Sequence, residues 1–195
     1  MKEVQVQVRR HIRRRESHTR RWYHGSSAIG AQAIRSEGVI RPGMPTKFRQ
    51  DIPRSDAVYV TDDKRLAESY AVGGGKVFEV RVDESKLIPD EDLLFEILDN
   101  RNSKMYDRVL EAWRKYNYGV YGDRKALTKK EAEHRFEFIA EATMEDPFST
   151  MLAEEMKNFV EWVMEHNPEL ADALIKHGKT AAHLGPVKVL YRRRR

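Results

Sequence analysis

The 195-residue sequence contains no cysteine. This one absence removes disulfides, cysteine zinc sites and thiol nucleophiles together, and it suits a reducing compartment. Long apolar runs are missing too; none approaches the roughly 20 residues that a bilayer span needs. The opening stretch MKEVQVQVRRHIRRR has charge but no apolar core of the secretory kind. A cytoplasmic chain with no membrane partner is therefore expected. His134, His166 and His177 fall on candidate helices, yet none sits in HExxH or another ligand spacing, so no metal site is expected. A GxSxG elbow is absent, which leaves serine–histidine–aspartate catalysis without a motif. VGGGK (72–76) lacks the spacing of a phosphate loop and a hydroxyl residue after its lysine, so it reads as a turn.

What is present is charge. Charged residues make up 34% of the chain and apolar ones 40%, the balance of a soluble globular protein with a real core. The net charge is +5, and its sources are clustered. Arg9, Arg10, Arg13, Arg14, Arg15, Arg20 and Arg21 crowd the beginning, and Arg192 to Arg195 stand at the end. Clustered guanidinium groups favour phosphate-bearing partners, nucleic acid among them, through charge and bidentate geometry. A solvated basic face fits the same composition.

Periodicity orders the rest. Val4, Val6 and Val8 alternate with glutamines and read as a strand. TRRWYHG (19–25) is a second short strand. Ser26 or Ser27 then stands where an N-cap belongs, AIGAQAIRSEG follows as a helix, and Gly38 stops it. VIRPGM turns the chain and TKFRQDIPRSD is a polar loop. AVYVTDD is a strand ending in capping residues, and DKRLAESYAVGGG is a helix closed by three glycines. In KVFEVRVD, Phe78, Val80 and Val82 face one way, Glu79 and Arg81 the other. PDED (89–92) reads as helix-capping or loop charge.

The second half is helical. Tyr106, Val109, Leu110, Trp113 and Tyr116 mark one amphipathic helix. Ala132, Phe136, Ile139 and Ala140 mark another, and Leu152, Met156, Phe159, Val160 and Val163 a third. The aromatic run Trp113, Tyr116, Tyr118 and Tyr121 points to core packing or partner contact rather than base stacking. Asn167-Pro168 opens a fourth helix that stops at Gly178. TAAHLGPVKVLY returns to strand character. The expectation is one α+β domain over 1–195, with a helical block (about 104–177) inserted before the last strand.

One constellation stands out. WYHGSS carries His24, AVYVTDD carries Tyr59, LAESYA carries Tyr70, and the strand KVFEVRVD follows. In order and spacing, residues 20–83 resemble the ADP-ribosyltransferase superfamily, in its diphtheria-toxin-like and poly(ADP-ribose) polymerase-like branch; the stretch 180–191 would supply a further strand. The resemblance implies a split β-sheet core with NAD as co-substrate in a cleft between the sheet halves. It implies that His24, Gly25, Ser26, Tyr59 and Tyr70 bind NAD. His24 would hydrogen-bond a ribose hydroxyl, Gly25 would offer its backbone to the carboxamide, Ser26 would add a hydroxyl, and a tyrosine face would stack on nicotinamide. Arginines of the 41–54 loop or of the first strand would meet the pyrophosphate.

The chain departs from the family at the third catalytic position. Polymer-forming members carry a glutamate on a late strand; here no acidic residue follows Asp172. The position would fall on Lys179, Thr180 or His183, which with His24 and Tyr59 would form the catalytic set. The expected activity is mono-ADP-ribosyl transfer to a protein or nucleic-acid acceptor. Two alternatives remain open: an NAD-consuming enzyme like the RNA 2′-phosphotransferases, and a non-catalytic basic nucleic-acid-binding or assembly protein.

Overall fold

The computed structural model describes residues 20–42, 55–121, 127–145 and 151–191. The strand expected at Val4–Val8, the arginines at 9–15 and 192–195, and most of the polar loop after Pro42 lie outside them. The described elements are β1 (Trp22–Ser26), α1 (Ala28–Glu37), β2 (Val39–Ile40), β3 (Ala57–Thr61), α2 (Lys64–Tyr70) and β4 (Lys76–Arg81). A 3-10 turn (Glu84–Lys86) leads to β5 (Leu87–Pro89). Then come α3 (Glu91–Asp99), α4 (Tyr106–Tyr121), α5 (Lys129–Glu145), α6 (Met151–His166) and α7 (Pro168–His177), followed by β6 (Thr180–Leu184) and β7 (Val187–Val189). The fold class is α+β.

Local chemistry sets the element ends. The Ser27 side chain caps α1 by accepting from the Gly30 amide, and Gly38, at φ 69°, closes that helix in the left-handed region where glycine is favoured. The Asp63 carboxylate caps α2 through the Arg65 and Leu66 amides. Asp90 caps α3 through the Asp92 amide, so PDED is capping charge.

The strands form one seven-stranded sheet in the order β2-β7-β4-β1-β3-β6-β5, with every pairing antiparallel. The pairing is uneven. β1 runs in register with β4 from Trp22↔Val80 to Ser26↔Lys76. β3 does so with β6 from Ala57↔Leu184 to Thr61↔Thr180. Between these two ladders, β1 and β3 share the single pair Tyr23↔Thr61. The strands then part, so His24 to Ser26 and Val58 to Val60 border a seam in the sheet.

Alternation gives the sheet two cores. On one face, Trp22, Val58, Val60, Phe78 and Val80 pack with Ala31 and Ile34 of α1. On the other, Ala57, Ile88 and Ala182 pack with α3–α7, whose apolar stripes meet around Trp113, Tyr116, Phe136 and Phe159. α2 lies over β1, β3 and β4.

Two expectations need correction. The helical block begins at Glu91 rather than near 104, because the nine-residue α3 precedes α4. The late strand is two strands. Gly185, at φ 79°, reverses the chain, leaving β6 between β3 and β5 and β7 between β2 and β4. Among the described residues no helix is long and apolar enough to cross a membrane.

Candidate functional site

His24 occupies the seam. Its Nδ1 lies 2.9 Å from the Tyr59 carbonyl oxygen. A carbonyl only accepts, so Nδ1 carries the proton and the neutral ring keeps its Nε2 lone pair as an acceptor. Burial lowers the His24 pKa below the usual histidine value, and the bond to Tyr59 offsets part of that shift. The side chain thus bonds across to β3 where the β1–β3 main-chain ladder stops.

Gly25 and Tyr70 come together on the other face. A Cβ on Gly25 would stand 2.0 Å from the Ala67 oxygen and 2.9 Å from the Tyr70 Cβ. No other residue lets the α2 backbone lie this close to β1. The same absence of a side chain brings the Gly25 backbone close to the Tyr70 Cβ, and Tyr70 is 50% exposed. The Ser26 side chain turns toward α1, where its Oγ occupies the space a Cβ on Gly30 would need.

Tyr59 faces the helical block. Its ring packs at the margin of that core, and its hydroxyl donates to Glu91 Oε2 at 3.0 Å. The Tyr23↔Thr61 register and strand alternation put Tyr59 and Gly25 on the same sheet face. Trp22, His24 and Ser26 point to the opposite one. The structure therefore gathers Gly25, Tyr59 and Tyr70 on one side of the seam and sets the His24 ring within it, bonded to the Tyr59 main chain rather than to its phenol.

His183 is placed differently from its expected catalytic role. It is 3% exposed. Its Nδ1 lies 3.2 Å from the Gly185 carbonyl, and its Nε2 accepts from the Asp83 amide at 3.1 Å. Both ring nitrogens are committed to backbone, so the imidazole is a splint between the β6–β7 turn and the loop after β4. The other late-strand candidates are also tied. Lys179 Nζ lies 3.5 Å from Asp63 Oδ2, and the Thr180 side chain bonds the Asp90 carboxyl.

Two of the described arginines expected to meet a pyrophosphate, Arg20 and Arg41, are engaged. Arg41 pairs with Glu37 at 2.9 Å. Arg20 bonds Asp62 and the Ile175 and Gly178 carbonyls, and stacks over Trp22. Arg49 and Arg54 lie outside the described residues. A cavity of ≈ 300 Å³ lies away from the seam, lined by Ile88, Val160, Glu161, Met164, Glu165 and Leu184. No metal-ligand cluster occurs among the described residues.

Asp90 and Glu91 escaped the sequence reading. Both are buried at the start of α3. Their visible signal was the PDED cap, which says nothing of a bond to a tyrosine 32 residues earlier. No protein-family model matches the chain, and neither a curated protein nor a solved structure matches it.

Proposed function

We propose that the protein is an NAD-dependent mono-ADP-ribosyltransferase whose dinucleotide lies across the β1–β3 seam. The observation that carries this reading is the single-pair junction of β1 and β3, with His24 held in it as a neutral acceptor. A ribose hydroxyl needs such an acceptor. A planar carboxamide needs a main-chain donor and acceptor pair at an unobstructed edge, and beyond Tyr23 the Gly25 peptide has no paired β3 residue opposite it. Tyr70, half-exposed and with its Cβ next to Gly25, is the candidate aromatic to stack on the nicotinamide ring.

The residues act by grip and exclusion. Holding nicotinamide and ribose in one pose favours loss of the ring, because positive charge grows on the ribose as the bond to nitrogen breaks. The bond's electron pair leaves with nicotinamide. The acceptor's lone pair then closes on the ribose carbon, and its proton passes to solvent. His183 takes no part, since neither of its nitrogens is available.

The test is release of free nicotinamide from NAD, with and without cell lysate as a source of acceptor. Wild type is run beside His24→Ala and Tyr59→Ala. Release by wild type that falls at least a hundredfold in His24→Ala is expected, on the order of a lost oriented contact in a reacting pose. Absence of release in every mixture, with no NAD binding by calorimetry, overturns the proposal.

A further inference from the structure

The sheet places three cations in a row. Trp22, Val80 and Val187 all belong to the core beneath α1. Strand alternation sends the residue beside each of them, Arg21, Arg81 and Lys188, to the opposite face. All three are exposed. Arg81 stands directly across from Lys188, and the Trp22↔Val80 register carried back by one residue sets Arg21 across from Arg81. The row therefore crosses β1, β4 and β7 over about 10 Å, two strand spacings. On this face α2 lies over β1, β3 and β4, and the helical block covers β5 and β6, while the chief neighbours of β7 are β2 and β4. The row thus runs from the edge of α2 onto open sheet.

Like charges directly opposite on neighbouring strands are destabilising. Among the described residues no ion pair relieves these three. The acids at this end of the sheet serve elsewhere. Asp62 pairs with Arg20, Asp63 caps α2 and meets Lys179, and Asp83 bonds Ser85. Glu79, two residues along β4 on the same face, forms no ion pair with any member of the row. Both arginine-bearing ends of the sequence attach to strands of the row: Arg9 to Arg15 precede β1, and Arg192 to Arg195 follow β7.

We infer that Arg21, Arg81 and Lys188 form a phosphate-binding row that seats a nucleic-acid strand across the open face of β4 and β7, through its backbone and not its bases. Guanidinium groups take phosphate oxygens in pairs, and an ammonium serves as a point charge beside them. A single phosphate would leave most of this charge unanswered. A chain of phosphates answers the row and both arginine-bearing ends together. The face carries no cluster of aromatic side chains on which bases could stack, so binding is independent of sequence and strongly dependent on salt. None of the three residues belongs to the seam, and the inference does not depend on the NAD reading.

Anisotropy of a labelled, mixed-sequence RNA single strand over a salt series tests this on the full chain. Wild type is run beside the row variant Arg21→Gln/Arg81→Gln/Lys188→Gln. A second triple variant, Arg108→Gln/Lys130→Gln/Lys157→Gln, removes the same charge from exposed positions of the helical block. The row variant should bind about tenfold more weakly or worse at near-physiological salt, with a salt slope shallower by about 2, from about 0.7 for each of three lost phosphate contacts. The helical-block variant should stay within about twofold of wild type. Each variant is also melted without RNA, and the row variant should melt no lower than wild type, because its charges repel one another. If the row variant fails to fold, Lys188→Gln alone should lower the slope by about 0.7, and an unchanged slope overturns the inference. So does wild type that binds no RNA, a row variant that binds as wild type does, or equal losses in the two triple variants. Displacement of the RNA by polyglutamate at matched charge would mark a site for acidic protein and overturn the nucleic-acid assignment. Nicotinamide release enters none of these readouts, so the NAD reading and this inference fail separately.

Discussion

Asp90 is buried beneath α3, and burial pushes its carboxyl up to about 6; the Thr180 bond opposes this and the charge of Glu91 adds to it. The folded state therefore holds the Asp90 proton more tightly than the unfolded chain does. The stability this contributes is complete below the ordinary aspartate range and is lost as pH rises through about 6. Asp90→Asn keeps the cap and cannot ionise. Urea unfolding should show it more stable than wild type at pH 7.5, by about 1–3 kcal/mol, and no more stable at pH 4; an equal effect at both pH values would remove the titration argument. His24 behaves oppositely. Its lowered pKa keeps Nε2 an acceptor at neutral pH, so nicotinamide release should fall with acid at a midpoint below the ordinary histidine value, as the ring protonates. A midpoint at or above the ordinary histidine value would contradict the burial. His183→Ala should cost about 2 kcal/mol in urea unfolding, for two backbone groups left unpaired, with nicotinamide release per folded molecule unchanged. At this scale, His24, Gly25 and Tyr70 could be picked out as candidates because they stand in an ordered pattern along the chain. The role of His183 was not, because its partners, Asp83 and Gly185, belong to loops whose meeting no local pattern records. Glu91 was invisible for the same reason.

The contact of α2 with β1 depends on Gly25. A methyl group there meets the Ala67 oxygen at 2.0 Å, and that oxygen belongs to helix backbone, which cannot give way alone. Gly25→Ala should force α2 off the sheet and cost about 1–3 kcal/mol, the usual range for an overpacked core. Amide exchange would report it as faster opening of α2, with α4 to α6 unaffected. Uniform loss of protection would instead mean that the contact organises the whole fold. Strands with clean alternation, such as β4 with Phe78 and Val80, were readable from sequence, as were the long helices, whose marked apolar positions are buried or partly buried. β5 was not, since three residues ending in proline are too few to show a period of two. α3 was hidden by its acidic first turn, and the β6–β7 break by a Gly-Pro that interrupts one apolar run.

Arg20 joins parts of the molecule that are far apart in sequence. Its Nε pairs with Asp62 at 2.7 Å, at the end of β3; its other donors reach the Ile175 and Gly178 carbonyls at the end of α7; its plane covers Trp22 at 4.4 Å. A lysine carries its donors on one nitrogen and cannot reproduce the planar fork by which Nε and both terminal nitrogens reach these separate acceptors. Arg20→Lys should lower stability by about 2 kcal/mol, read as a drop of several degrees in melting temperature; a drop under one degree would mark the contact as an ordinary surface pair. The α+β class and the insertion of helices before the last strands were legible at this scale, because they follow from element order alone. The seam was not, since it depends on how many pairs β1 and β3 share. The strand order also bears on biosynthesis. β6 and β7 are interior strands, yet they are translated after the whole helical block. Until residues 180–189 leave the ribosome, β3 lacks its outer neighbour and β2 has no strand to join. At roughly 5–20 residues per second, that interval lasts several seconds or more. Any NAD-cleaving activity on this scaffold would stay silent until those residues emerge, and the exposed edges of β3 and β4 would make the nascent chain a natural client for chaperones.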